Sequence, residues 1–68
     1  MIIQLNGASH ETSDDVTVAE LVELLARDPR GRGVAVAVDG VVVIRSEWSD
    51  TAIASGQRVE IVEAQQGG

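Results

Sequence analysis

One segment, DDVTVAELVELLARDP, governs what the rest of this chain can do, because it is the only stretch with helical periodicity. Thr17 stands where a side chain can cap the first turn, and Glu20 three residues on completes a capping box. Val16 and Leu21 have the spacing of a hydrophobic staple across that cap. Asp14 and Asp15 put negative charge beside the positive end of the helix dipole. Val18, Leu21, Val22 and Leu25 form an apolar stripe, while Glu20, Glu23 and Arg27 fall on the other side. Glu23 and Arg27 are spaced as an i, i+4 ion pair. Pro29 disfavours helical backbone at Asp28, so the pattern predicts a helix of about three turns. A lone helix has no second helix to lie against, and its stripe needs a sheet.

The flanking segments provide the strands. In MIIQL, Met1, Ile3 and Leu5 share one face. Asn6-Gly7 then predicts a two-residue hairpin turn, since both positions tolerate positive φ. The return strand, Ala8 to Thr12, is polar and reads as an edge. VAVAVDGVVVI reads as two more strands about Asp39-Gly40. Its alternation of Val with Ala puts small residues on one whole face, which fits a strand closely packed on both sides. RSEWSDTAIASGQ breaks the pattern as an irregular segment, and Ser55-Gly56 marks a turn into RVEIVEA. There Val59 and Ile61 face in and Glu60 faces out. Two hairpins bridged by one helix predict an α+β fold of β-grasp type, a mixed sheet of about five strands with the helix on one face. At 68 residues the chain is one small unit, with a radius of gyration of roughly 11 Å if compact. The expected division is a β-grasp domain over 1–64 and a flexible Gly-Gly tail over 65–68.

The side chains needed for most chemistries are missing. Without cysteine there is no disulfide, thiolate nucleophile or sulfur-ligated metal. His10 is the only histidine, so a histidine-based metal site would need carboxylates as its other ligands. Ser9, Ser13, Ser46, Ser49 and Ser55 have no plausible base other than His10, and the residue reads as an exposed strand or turn histidine. GRGVAVAVDG runs into a strand and not a helix, which removes a phosphate loop. No catalytic residue, metal or bound cofactor is expected. The net charge of −6, with five arginines and no lysine, disfavours nucleic acid and favours a partner with a basic docking surface. Arg27, Arg30 and Arg32 nonetheless make a small basic spot, read as a solvated loop. No apolar run approaches the ~20 residues that span a bilayer, and the start lacks the basic residues of a signal peptide. A cytoplasmic protein without a membrane partner is the expectation. Trp48, the only aromatic residue, reads as a cover for the core edge and as a candidate interface anchor.

What remains is the end, EAQQGG. Glycine has no side chain, so a Gly-Gly end is thin and conformationally free. Four residues beyond the last strand extend about 14 Å, enough to carry a carboxylate down a narrow channel. A carboxylate resists nucleophiles until one oxygen becomes a leaving group, which adenylation by ATP provides.

The segments TVAELVELL, VDG, RSEW and SGQRVEIV, together with the final GG, resemble the small sulfur carrier protein of thiamine biosynthesis (the ThiS family) over nearly the whole chain. The resemblance implies a ubiquitin-like β-grasp fold and a carrier that is not itself an enzyme. An adenylyltransferase of the E1-like family would activate Gly68 with ATP. A cysteine-derived persulfide sulfur donor would then give a thiocarboxylate for thiazole synthase to consume. Gly67, Gln66 and Gln65 would thread the tail. Val42, Ile44, Val62 and Trp48 are the partner-docking candidates. Two positions depart from the family pattern, which has proline where Ile44 stands and apolar residues where Gln65 lies. The sulfur carrier subunit of molybdopterin synthase shares the fold and the Gly-Gly end. A ubiquitin-like protein modifier is the reading from another class; without lysine this chain cannot form self-linked chains.

Overall fold

The computed structural model describes residues 1–28 and 30–64. Its radius of gyration is 11.3 Å. The chain forms β1 (Ile2–Leu5), β2 (Ala8–Glu11), α1 (Val18–Leu25), β3 (Val34–Val38), β4 (Val41–Val43), a 3-10 helix (Arg45–Asp50) and β5 (Arg58–Glu63). The strands make one sheet in the order β2-β1-β5-β3-β4. Only the β1–β5 pairing is parallel. This is the ubiquitin-like β-grasp fold, two hairpins joined by a helix that lies on one sheet face.

Both hairpin turns take the primed geometry that their residues favour. Asn6 and Gly7 have φ of 49° and 84°, and Asp39 and Gly40 have 50° and 82°. As expected, β2 is polar and sits at the sheet edge. The helix begins at the predicted cap. Thr17 accepts a hydrogen bond from the Glu20 amide at 3.1 Å, and the Thr17 amide donates to Glu20 Oε1 at 3.0 Å. Val16 and Leu21 are both buried, which completes the staple.

The far end of the helix differs from the expectation. It stops at Leu25, giving 8 residues, because Ala26 turns extended at φ −79° and ψ 150°. That break lies upstream of Pro29, which is outside the described residues. The early stop frees the Arg27 amide to donate to Glu63 on β5 at 2.9 Å, so a tertiary bond takes the place of another helical turn. Two expectations fall with it. Leu25 is 41% exposed and does not extend the stripe of Val18, Leu21 and Val22. Arg27 lies past the helix, so the Glu23–Arg27 pair does not form; the ion pairs among the described residues are Met1–Asp14 and Arg32–Asp28.

The core consists of Ile3, Val16, Val18, Leu21, Val22, Val36, Trp48, Ile53 and Val59. Val36 of β3 is buried against the helix side, but Ala35 is exposed. The alanine face is therefore open and not covered, because one helix covers only one side of the sheet. The segment read as irregular winds into the 3-10 helix, which drives Trp48 into the core. The indole keeps a partner there by donating Nε1–H to the Val43 carbonyl at 2.8 Å. Gly31 lies against that ring at φ 75°, where a Cβ would overlap it.

Candidate functional site

The last strand leads toward the Gly-Gly end, so the place where it leaves the sheet defines the candidate site. β5 outruns its neighbour: β1 pairs with it only through Gln4–Arg58 and Leu5–Val59. Past Leu5 the edge of β5 would lose its hydrogen-bond partners on that side. Asn6 replaces them. Its amide N–H donates to the Val59 carbonyl at 2.9 Å. Its side chain then pairs with both backbone groups of Ile61, accepting from the Ile61 amide at 2.9 Å and donating to the Ile61 carbonyl at 3.2 Å. A side-chain amide thus acts as one more rung of the sheet.

Two further bonds fix the strand end. Glu63 accepts from the Arg27 amide through its carboxylate, tying β5 to the loop after the helix. The Ala64 amide donates to the Gly33 carbonyl at 2.7 Å, carrying the β3–β5 pairing one residue beyond the strand. The chain is anchored as far as Ala64. Gln65, Gln66, Gly67 and Gly68, the residues expected to thread and react, lie outside the described residues.

The loop between α1 and β3 forms the wall beside this strand end. Asp28 organises it, accepting from Arg32 Nε at 2.8 Å and from the Arg30 amide at 2.9 Å. The Arg32 guanidinium, followed by the Arg30 amide, holds the Asp28 carboxyl below its ordinary value of 3.8. Arg45 reaches the same loop from the 3-10 helix and donates to the Arg30 carbonyl. At the other end of β5, Asp39 accepts from the Arg58 amide at 2.9 Å and from Gln57 Nε2 at 3.1 Å. Those two donors, the Arg58 amide first, hold its carboxyl below 3.8 as well.

The docking candidates separate into two groups. Val42, Ile44 and Val62 are 70%, 58% and 63% exposed. Register places them on the open face: Ala37 is the cross-strand neighbour of both Val42 and Glu60, and Ala35 that of Val62. Ile44 lies two residues past Val42 in extended backbone. The alanines between them keep the patch low and shallow. Trp48 does not join it. At 6% exposure its ring is core, and the anchor reading is corrected: the 3-10 helix turns it inward.

No enzyme-like constellation appears among the described residues. An open depression of about 290 Å³ is lined by Gln4, Asn6, Gly7, Arg58, Val59 and Glu60, with neither a nucleophile nor an imidazole. His10 is half-buried on β2 beside Ile3, and no hydrogen bond joins it to a serine among the described contacts. No three residues of the metal-binding types come together among the described residues. No helix there is long and apolar enough to cross a membrane. Sequence reasoning recognised Asn6 only as a turn former and gave no sign of the Glu63–Arg27 or Arg45–Arg30 bonds. These join residues 55, 36 and 15 positions apart, which no local pattern encodes.

Comparison with known proteins follows the same lines. The crystal structure of a thiamine biosynthesis protein (ThiS) from Geobacter metallireducens superposes with a TM-score of 0.81 at 25% identity, covering 100% of both chains. A solution NMR structure of a thiamine biosynthesis protein from Geobacter metallireducens gives 0.81 at 26% identity, covering 100% of this chain and 88% of that one. No curated protein sequence matches. The ThiS family model matches residues 3–68, from the first buried residue of β1 to the terminal glycine. With that match over almost its whole length, the chain belongs to the ThiS family.

Proposed function

We propose that this chain is a sulfur carrier of thiamine biosynthesis whose cargo rides on the carboxylate of Gly68. The observation that carries the reading is the family match running through residue 68, joined to a fold of the same shape as thiamine biosynthesis proteins. A strand end secured at Ala64 suits this role, since four further residues give about 14 Å of reach from a fixed point.

In the proposed cycle, an E1-like adenylyltransferase presents ATP to the tail. A Gly68 carboxylate oxygen attacks the α-phosphorus, pyrophosphate leaves, and the acyl carbon now carries AMP as its leaving group. The terminal sulfur of a cysteine-derived persulfide attacks that carbon and AMP departs, leaving an acyl disulfide. A thiol then cleaves the S–S bond and is itself oxidised to a disulfide with the donor cysteine, freeing the thiocarboxylate. Thiazole synthase takes the sulfur for the thiazole ring. The carrier supplies no catalytic side chain to these steps, and ATP belongs to the partner. Gln65, Gln66 and Gly67 form the stem that passes the partner's channel. Val42, Ile44 and Val62 are the proposed docking patch, with apolar area to bury and only small Ala35 and Ala37 between them.

Removing the gene tests the pathway. Growth that becomes dependent on added thiamine, and is restored by the intact chain but not by one lacking Gly68, is the expected result. Loss of molybdoenzyme activity with no thiamine requirement would transfer the protein to molybdopterin synthesis. High-mass conjugates on a tagged chain would make it a protein modifier.

A further inference from the structure

The end of the molecule from which β5 leaves is basic, although the chain carries a net charge of −6. Four of the five arginines, Arg27, Arg30, Arg32 and Arg45, are gathered there, and all are exposed. Three come from the loop after the helix. The fourth is brought from the 3-10 helix by the bond of Arg45 to the Arg30 carbonyl. Concentrating like charges is unfavourable for folding alone, so a solvated loop does not account for Arg45 joining the group. Two carboxylates are bonded into this end. Asp28 is taken up by Arg32 and the Arg30 amide, and Glu63 by the Arg27 amide. The guanidinium groups of Arg27 and Arg30 have no hydrogen bond or ion pair among the described residues.

The opposite end has the opposite sign. Asp14, Asp15 and Glu20 lie about the start of the helix and Asp39 in the turn beside Arg58. These four carboxylates outnumber the two cations there, the Met1 ammonium paired with Asp14 and Arg58 itself. The helix runs from that end, where the Val18 amide meets Thr51, to the end where Arg27 meets Glu63. The charge is thus separated along the direction of β5.

We propose that Arg27, Arg30 and Arg45 form a cationic collar round the root of the tail, which docks on a carboxylate-bearing protein rim at the mouth of the activating enzyme's channel. This rests on the reading that a separate enzyme activates the tail. Such a rim attracts the collar and repels the acidic far end, so the carrier arrives tail first. At this contact the local arginines, and not the net charge that favoured a basic docking surface, decide the sign of the partner. The charge separation therefore acts chiefly on the rate of productive encounter. A nucleic acid does not fit the site, because the rest of the body repels a phosphate backbone.

The test uses the full chain with its adenylyltransferase. Pyrophosphate exchange into ATP, dependent on the wild-type carrier, first establishes that activation occurs. Association rates are then measured by stopped flow at low and high salt. The double variant Arg27→Ala/Arg30→Ala is expected to lose about tenfold in association rate at low salt. The gap should close as added salt shortens the Debye length to well under 10 Å. Arg27→Lys/Arg30→Lys should restore the rate. Ser13→Glu/Ser55→Glu makes the same change in net charge at the far end and should change the rate much less. An unchanged rate in the alanine variant, or equal slowing in the alanine and far-end variants, overturns the collar while leaving the carrier reading in place. Absence of exchange with the wild-type chain removes the carrier reading and the collar with it. Unfolding midpoints check that every variant is folded.

Discussion

Asn6 meets two unrelated demands. It must adopt φ of 49° in a primed turn, and its side chain must take over from β1 as the partner of Ile61. Glycine satisfies the first demand alone, so Asn6→Gly isolates the second. The expected cost is about 1 kcal/mol, the usual net value of a lost hydrogen-bonded partner, read from denaturant unfolding. Faster hydrogen exchange at the Ile61 amide should accompany it; an unchanged amide would show that the side chain does not hold the strand. Asp39 gives a pH dependence of definite sign. Its folded carboxyl is held below 3.8, so its contribution is complete above the unfolded value and is lost as the pH falls through the folded one. Thermal unfolding followed from near neutrality to below 3.8 should therefore show a smaller acid-induced loss in Asp39→Asn than in the wild-type chain. An identical profile would assign the acid sensitivity elsewhere.

At the scale of elements, the helix start and the helix end obey different rules. The start is local: cap, capping box and staple all lie within six residues, Val16 to Leu21, and were legible in the sequence. Thr17→Ala should cost about 1 kcal/mol by removing the side-chain acceptor of the Glu20 amide, measured as a shift in denaturant midpoint at unchanged slope. A shift near zero would mean that the sheet alone holds the helix. The helix end is tertiary. Leu25 and Arg27 continue the helical spacing, yet the chain leaves the helix at Ala26 and the Arg27 amide finds its acceptor in Glu63, 36 positions away. Trp48 shows the same limit. Its burial at the core edge was expected from its being a lone large ring, but RSEWSD does not have the alternation or stripe that would reveal which way a 3-10 helix turns it. The exposure of Val62 was legible from alternation along β5, where Val59 and Ile61 turn inward; along the edge strand β4 the alternation fails, since Val41 is as open as Val42. The alanines of β3 misled for the opposite reason: small residues fit a crowded face and an empty one equally well.

For the molecule as a whole, the fold delivers a strand end and holds it. β3 pairs along β5 to Glu63, Gly33 extends that pairing to Ala64, Asn6 secures the edge that β1 leaves open, and the Arg27 amide holds the Glu63 carboxylate. Every residue in those contacts lies at or before Ala64, which assigns stability to residues 1–64 and cargo to Gly68. A chain lacking Gly68 should unfold at the same midpoint as the wild type and yet be unable to carry sulfur. The measurement that bears most directly on this is intact and C-terminal-peptide mass spectrometry of the protein after incubation with its adenylyltransferase, ATP and a persulfide sulfur donor. Exchange of one oxygen for sulfur is expected, confined to Gly68 and absent from the chain without it. A wild-type chain that repeatedly gains no sulfur under those conditions would show that Gly68 is not a sulfur carrier, and a shortened chain that still gains it would place the cargo elsewhere.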